Sequence, residues 1–283
     1  MAKTKHTTSN EKGLGGQRLA LLGAGKIGGI LLQALLDNGI LARNQTTATV
    51  KHEERAGRVA EKLQVAVGTD NVAAVRKADI IVLGVKPQVV SGVLHEIRHA
   101  VKPSQLVISV AASVPTAYIE KHLDSDVPVV RAMPNTPSML RCGMTAIAKG
   151  RFATADHLEI ARTLFDSVGK TVLVDEQHMD ACTALSASGP AYIYVILESL
   201  AEAGVKVGLP RDLATLLAAQ TALGAAKVVL ETGDHPALLK DAVTTPAGCT
   251  IDGLLELEEG GLRVTLIRAV VKATQRAREL LMG

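Results

Sequence analysis

The chain has no tryptophan, and phenylalanine and tyrosine are so few that aromatics reach only 2%. Stacking on bases or sugar rings is therefore not its main mode of recognition. Cysteine is scarce as well: Cys142, Cys182 and Cys249 are odd in number, far apart and in no Cys-x-x-Cys arrangement. That speaks against a disulfide framework or a thiolate metal site and fits a reducing, cytoplasmic compartment. The net charge is +3 without any block of Lys or Arg, which argues against nucleic acid as a partner. No apolar run approaches the ~20 residues of a membrane span. Residues 1–17 are polar and have no apolar signal core, so they read as a disordered extension.

What is present is ordinary for a folded chain: 47% hydrophobic and 21% charged residues over 283 positions, enough for two domains. From Arg18 to about Asp175, short apolar runs alternate with helical segments. Strands are expected at Arg18–Leu22, Thr47–Lys51, Gln64–Val67, Ile80–Val85, Leu106–Ala111, Val127–Met133, Met144–Ala148 and Thr171–Val174. Apolar strands with helices such as Lys26–Asn38 and Gln88–Ala100 between them predict a mostly parallel sheet covered on both faces. After Asp175 the strand signal stops. Pro190–Val207, Arg211–Thr232 and Leu262–Met282 read as long helices of a bundle. Several are apolar around much of their circumference, which predicts a second buried face and hence a homo-oligomer. The expected organisation is an extension over 1–17, an α/β Rossmann-type dinucleotide-binding domain over 18–175 and an all-α domain over 176–283.

Gly23-Ala24-Gly25-Lys26-Ile27-Gly28 follows the first strand and opens the first helix. Gly23 would permit the turn, Gly25 the approach of a pyrophosphate and Gly28 close helix packing. Lys51, His52 and Arg55 follow the second strand and favour NADP over NAD, against a counterweight from Glu53 and Glu54. Gly84-Val85-Lys86-Pro87, Ser109-Val110-Ala111-Ala112 and Arg131-Ala132-Met133-Pro134-Asn135-Thr136-Pro137 also lie at strand ends, where open α/β sheets place ligands. Ser186–Tyr192 starts a long helix, with Ser188 or Gly189 as its cap or as a wall for a compact substrate. His95-Glu96-Ile97-Arg98-His99 matches the zinc-protease pattern. The buried stripe Val90, Val93, Leu94, Ile97 and Val101 places both histidines on a solvated flank, so no metal site is expected. Finally, Thr244-Thr245-Pro246-Ala247-Gly248-Cys249-Thr250 leads into an amphipathic helix. Such a start is a helix cap, and its free N–H groups can also hold a carboxylate or phosphate.

Taken together these segments resemble the Δ1-pyrroline-5-carboxylate reductase family over nearly all of Arg18–Met282. The most specific element is Leu239–Thr250, reinforced by Val85–Pro87, Met133–Pro137 and Ser188–Tyr192. The resemblance implies a Rossmann domain and a helical domain that interlocks with its mate in a dimer, with decamers known in the family. It implies reduction of 1-pyrroline-5-carboxylate to proline by NADPH or NADH, with NADPH preferred here. The cofactor would lie along Gly23, Ala24, Gly25, Lys26 and Ile27, reach His52 and Asn71, and pass Gly84, Val85, Lys86, Pro87, Val110, Ala111 and Ala112. The substrate carboxylate would sit on Thr245, Cys249 and Thr250, with Glu176 nearby and Thr250 as the catalytic residue against the imine nitrogen. Where the family often has Gly-Gly this chain has Ala247-Gly248, and Ala242 replaces an Asn that contacts substrate in some members. The alternatives are a related imine reductase, a β-hydroxy-acid reductase, which would need a lysine such as Lys206, Lys227 or Lys240, and a non-catalytic dinucleotide-binding scaffold.

Overall fold

The computed structural model describes residues 14 and 16–279. The remainder of the expected N-terminal extension, and Leu280 to Met282 of the last expected helix, lie outside the described residues. Order begins before Arg18: Leu14 packs against the core, and the Gly16 carbonyl accepts from Gln45 at 3.1 Å.

Eight strands form one sheet: β1 (Leu19–Leu22), β2 (Thr46–Thr49), β3 (Ala66–Gly68), β4 (Ile80–Leu83), β5 (Leu106–Ser109), β6 (Val129–Met133), β7 (Gly143–Lys149) and β8 (Gly169–Leu173). Their order is β3-β2-β1-β4-β5-β6-β7-β8, and β6–β7 is the one antiparallel pair. Helices α1 (Lys26–Asp37), α2 (Glu53–Leu63), α3 (Asn71–Arg76), α4 (Pro87–Ile97), α5 (Thr116–Lys121) and α6 (Ala155–Asp166) connect them. Alternation along β1 sends Leu19 and Leu21 into one buried cluster and Ala20 and Leu22 into another, so both faces of the sheet are covered. The strand order reverses beside β1, between β1 and β4, which is where such sheets open a crevice for a ligand.

All eight expected strands form, with shifted ends that have local causes. Gln64 takes the left-handed conformation (φ 54°) to close α2, so β3 starts at Ala66 and not at Gln64. Pro128 cannot donate to a ladder, and β6 begins after it. Pro87 occupies the first turn of α4, which starts there, one residue before the expected Gln88, and ends at Ile97.

By contact density the chain separates into two compact units: one runs to Ala187 and includes the end of the chain from Thr274, and the other is Ser188–Ala273. In the first, a short α7 (Met179–Cys182) runs into a π-helical turn at Thr183–Ala187, directly before α8 (Gly189–Lys206). Ser188 therefore sits in helical conformation and its side chain caps nothing, contrary to one of the readings of that segment. Then come α9 (Arg211–Thr232), α10 (Pro236–Ala242), α11 (Cys249–Glu259) and α12 (Leu262–Glu279). Gly204 of α8 lies so near Ala214 of α9 that an added Cβ would come within 2.8 Å of its Cβ.

The second unit has little core of its own. Among its described residues only Ala201, Ala214 and Ala218 are fully buried hydrophobics, while side chains such as Tyr194, Leu216, Leu223, Leu230, Leu255 and Ile267 are each about half exposed or more. One expectation needs correction here. α9 is 22 residues long with a window of mean hydropathy 1.6, long and apolar enough to cross a membrane. Its charges, Arg211, Asp212, Lys227 and Glu231, sit towards its two ends, which is why averaging finds what a search for an uninterrupted run does not.

Candidate functional site

The register of the parallel strands builds the first half of the site. Leu22 pairs with Thr49 on one side and Leu83 on the other, and Leu83 pairs with Ser109. Four expected segments (Gly23–Ile27, Val50–His52, Gly84–Pro87 and Val110–Ala112) thus leave the same edge of the sheet.

Each glycine of the first loop has a distinct geometric cause. Gly23 has φ +91°, and a Cβ on it would lie 2.5 Å from Val85 Cγ1. A Cβ on Gly28 would meet the Gly23 carbonyl at 2.9 Å. On Gly25 it would meet nothing within 4 Å, so that residue faces open space. Gly84 completes the turn, since a Cβ there would strike the Gly23 carbonyl at 2.9 Å. The N–H of Ala24 goes to the Thr49 carbonyl at 2.7 Å, and that of Gly25 goes to the Gly23 carbonyl at 2.8 Å. No side chain caps α1, which leaves the N–H groups from Lys26 and Ile27 onward, with the positive end of the helix dipole, for an anion. The residues fit a pyrophosphate. Beside the loop, Lys26, Arg55, Arg58 and Lys62 line a cleft of about 570 Å³, and none of the four has an ion-pair partner among the described residues. Glu53 accepts from the Thr69 hydroxyl at 2.8 Å. His52 ends its loop as the exposed N-cap of α2 and caps nothing with its ring.

Two other expected segments meet in the same unit. The Asn135 side chain donates to the Ser186 carbonyl at 3.2 Å and accepts from the Met144 N–H at 3.0 Å. This ties the Met-Pro-Asn-Thr-Pro loop to the π-helical turn, a local conformation that favours functional positions. Glu176 stands at the start of this region with both carboxylate oxygens taken. One accepts from the Thr116 N–H at 2.7 Å and the other from its hydroxyl at 2.6 Å. Arg131, only 3% exposed, lies 3.8 Å from Glu176 and donates to Asp180 at 3.0 Å. Burial pushes the nearby Cys182 thiol up, and Arg131 partly offsets that shift.

In the second unit, α11 begins at Cys249, one residue before the expected start. Its N-cap is Gly248, which has no side chain to cap the helix. The Gly248 N–H returns to the Thr245 carbonyl at 3.0 Å, so the N–H groups of Cys249 and Thr250 are the first unclaimed donors. Ala247 holds φ +57°, the left-handed region that favours glycine. Thr245, Cys249 and Thr250 therefore share one turn that can receive a carboxylate. Lys227 and Lys240 each have a carboxylate partner, Glu231 at 3.6 Å and Asp241 at 2.9 Å.

The zinc-protease pattern does not survive the fold. α4 ends at Ile97, so His99 is off the helix that carries His95, and it pairs with Asp124 and Arg98. Sequence reasoning passed over Thr49, Thr116 and Asp180, and placed Arg131 in a strand-end segment without giving it a partner. A charge inside Val129–Met133 and a hydroxyl ending an apolar strand were the available signals for Arg131 and Thr49.

Comparison with known proteins covers both units. The family model for pyrroline-5-carboxylate reductase dimerisation matches residues 176–280, and that for NADP oxidoreductase, coenzyme F420-dependent, matches 18–113. The pyrroline-5-carboxylate reductase of Methanosarcina acetivorans is 43% identical over 93% of this chain and 98% of its own. The chain belongs to the pyrroline-5-carboxylate reductase family. Among solved structures, the family member from Coxiella burnetii is 36% identical with a TM-score of 0.84, covering 93% of this chain and 98% of that one. The Plasmodium falciparum pyrroline carboxylate reductase, solved with NADP bound, is 28% identical with a TM-score of 0.86, covering 94% and 98%. Membership brings NAD(P)H-dependent oxidoreductase chemistry on a C=N bond, a Rossmann-like sheet domain and a helical dimerisation domain.

Replacing Arg131 by Met would leave Asp180 and Glu176 without their buried counter-charge. The expected loss is about 3 kcal/mol of unfolding free energy, read from denaturant titration. A loss under about 1 kcal/mol would show that the guanidinium is not the tie that holds Glu176–Cys182 to β6.

Proposed function

We propose that the protein reduces 1-pyrroline-5-carboxylate to L-proline with NADPH as preferred donor, as a homodimer or an assembly of dimers, in the cytoplasm. The observation that carries this reading is the uncapped start of α11 at Cys249 and Thr250, in a family whose members are named for a cyclic imine bearing one carboxylate. The N–H groups of Cys249 and Thr250 hold that carboxylate by charge-assisted hydrogen bonds, with the Thr245 hydroxyl beside them. The Thr250 hydroxyl faces the imine nitrogen and relays a proton to it from water, because a free threonine hydroxyl is too weak an acid to supply one unaided. A bound dihydronicotinamide supplies the hydride for the imine carbon. Glu176 accepts from the Thr116 N–H and hydroxyl and so holds the start of α5.

The dinucleotide runs over Gly23–Ile27, its pyrophosphate against Gly25 and the start of α1, and reaches His52 and Asn71. Gly84–Pro87 and Val110–Ala112 line its nicotinamide end. Arg55 and Arg58, which have no ion-pair partner among the described residues, support NADPH over NADH, since a 2′-phosphate takes guanidinium partners. The exposed apolar side chains of Ser188–Ala273 support a second copy as what covers α9, and not lipid, in a segment matched by a dimerisation model. The free thiols of Cys142, Cys182 and Cys249 support a reducing compartment.

Purified protein should oxidise NADPH with 1-pyrroline-5-carboxylate and much more slowly with cyclic imines lacking the carboxylate. Thr250→Ala should lower kcat at least tenfold, about 1.4 kcal/mol of barrier. An unchanged kcat would remove Thr250 from the chemistry. Arg55→Ala should raise the KM for NADPH about tenfold while shifting that for NADH far less. Equal effects on the two would assign Arg55 no part in reading the 2′-phosphate. Light scattering at micromolar concentration should give twice the chain mass or a multiple of it, and a monomeric mass would overturn the assembly.

A further inference from the structure

We propose that Glu96, the glutamate of the unused His-Glu-x-x-His pattern, is a positioning residue for the dinucleotide loop, acting through Asn71 and Thr49. The inference rests on the reading of Gly23–Ile27 as the dinucleotide loop. The structure shows one unbroken chain of hydrogen bonds from α4 to that loop. Asn71 at the start of α3 donates from Nδ2 to Glu96 Oε2 at 2.8 Å. Thr49 donates from Oγ1 to Asn71 Oδ1 at 2.7 Å. Gly23 in turn donates its N–H to Thr49, which offers both Oγ1 and its carbonyl at 3.2 Å.

The direction of this chain follows from the chemistry of its ends. An ionised carboxylate only accepts, so Glu96 obliges Asn71 to turn its NH2 outwards and its carbonyl oxygen towards Thr49. A carbonyl oxygen only accepts, so Thr49 must give Asn71 its single hydroxyl proton. The Thr49 lone pairs are then left for the N–H of Gly23, the residue at φ +91° on which the turn depends. Without Glu96 the Asn71 amide can rotate by 180° and present a donor to Thr49, whose hydroxyl proton then has no fixed direction. Thr49 is only 3% exposed, so water cannot readily replace the lost partner. Glu96 itself is exposed and lies off the buried stripe of α4, so its removal has little to disturb except this link.

The test measures NADPH binding by calorimetry without substrate, alongside steady-state kinetics and thermal melting. Glu96→Ala should weaken NADPH binding about fivefold, the effect of one well-placed hydrogen bond. It should act on the KM for NADPH more than on kcat, with the melting temperature nearly unchanged. Glu96→Gln can still accept from Asn71 and should restore most of the affinity. In Thr49→Val, where the loop partner is already gone, adding Glu96→Ala should have no further effect. Wild-type affinity in Glu96→Ala, or effects of Thr49→Val and Glu96→Ala that simply add, would overturn the proposal. Wild-type protein that binds no dinucleotide would overturn the loop assignment together with it, whereas normal wild-type binding with an unaffected Glu96→Ala sinks this inference alone.

Discussion

The tight turn after β1 has more backbone N–H groups than it can satisfy internally, and Thr49 takes up the excess. Its carbonyl and hydroxyl accept from Gly23 and Ala24, so the end of β2 defines the shape of the loop after β1. That arrangement requires β1 and β2 to end in register, which the Leu22–Thr49 pairing provides. It also requires the absence of a side chain at Gly23, where Val85 already fills the space. A parallel sheet, a glycine and a threonine thus form one constraint. With Gly23, Ala24 and Gly25 already committed, the donors left at the head of α1 are those aimed along the helix axis, where an anion gains most.

A second tie holds the segment that follows the sheet. Arg131 is in register with Ser109, deep in the sheet, and its guanidinium is the counter-charge for Asp180 and Glu176. A charge so buried is stabilising only in the presence of its partners, so it fixes where Glu176–Cys182 lies more than it adds stability. The π-helical turn comes directly after, and Asn135 binds it back to the loop beyond β6. Two motifs 51 residues apart in sequence are joined by one amide.

Much of this was legible in the chain because it rests on local rules. The strand–glycine–helix pattern at Leu21–Gly28 specifies a turn whose form is set by sterics, and the apolar runs specify buried strands wherever they occur. Strand ends were less legible, because they are set by single residues such as Gln64 and Pro128. The hydrogen-bond chain through Thr49, Asn71 and Glu96 could not be read at all. Its members are separated by 22 and 25 residues and meet only once the β-strands have paired. The His-Glu-x-x-His pattern misled for the converse reason. Its spacing has meaning only on a continuous helix, and α4 stops at Ile97, before the second histidine.

The helical unit poses the opposite problem, with surface where a core should be. Burying a large aliphatic side chain contributes roughly 1.5–3 kcal/mol. A unit whose fully buried hydrophobics are three alanines gains little by folding alone. Small residues at Gly204 and Ala214 let α8 and α9 approach closely and leave their larger side chains outward, where a second copy can cover them. Strain accumulates at the turn in the same unit. Ala247 holds a left-handed conformation that disfavours an L-residue by about 1–2 kcal/mol, and the Gly248 N–H bond to Thr245 helps keep it there. A turn that relaxed to an ordinary φ would lose the Gly248 geometry that leaves the α11 donors uncapped. The local strain and the proposed carboxylate site are therefore two consequences of the same backbone path.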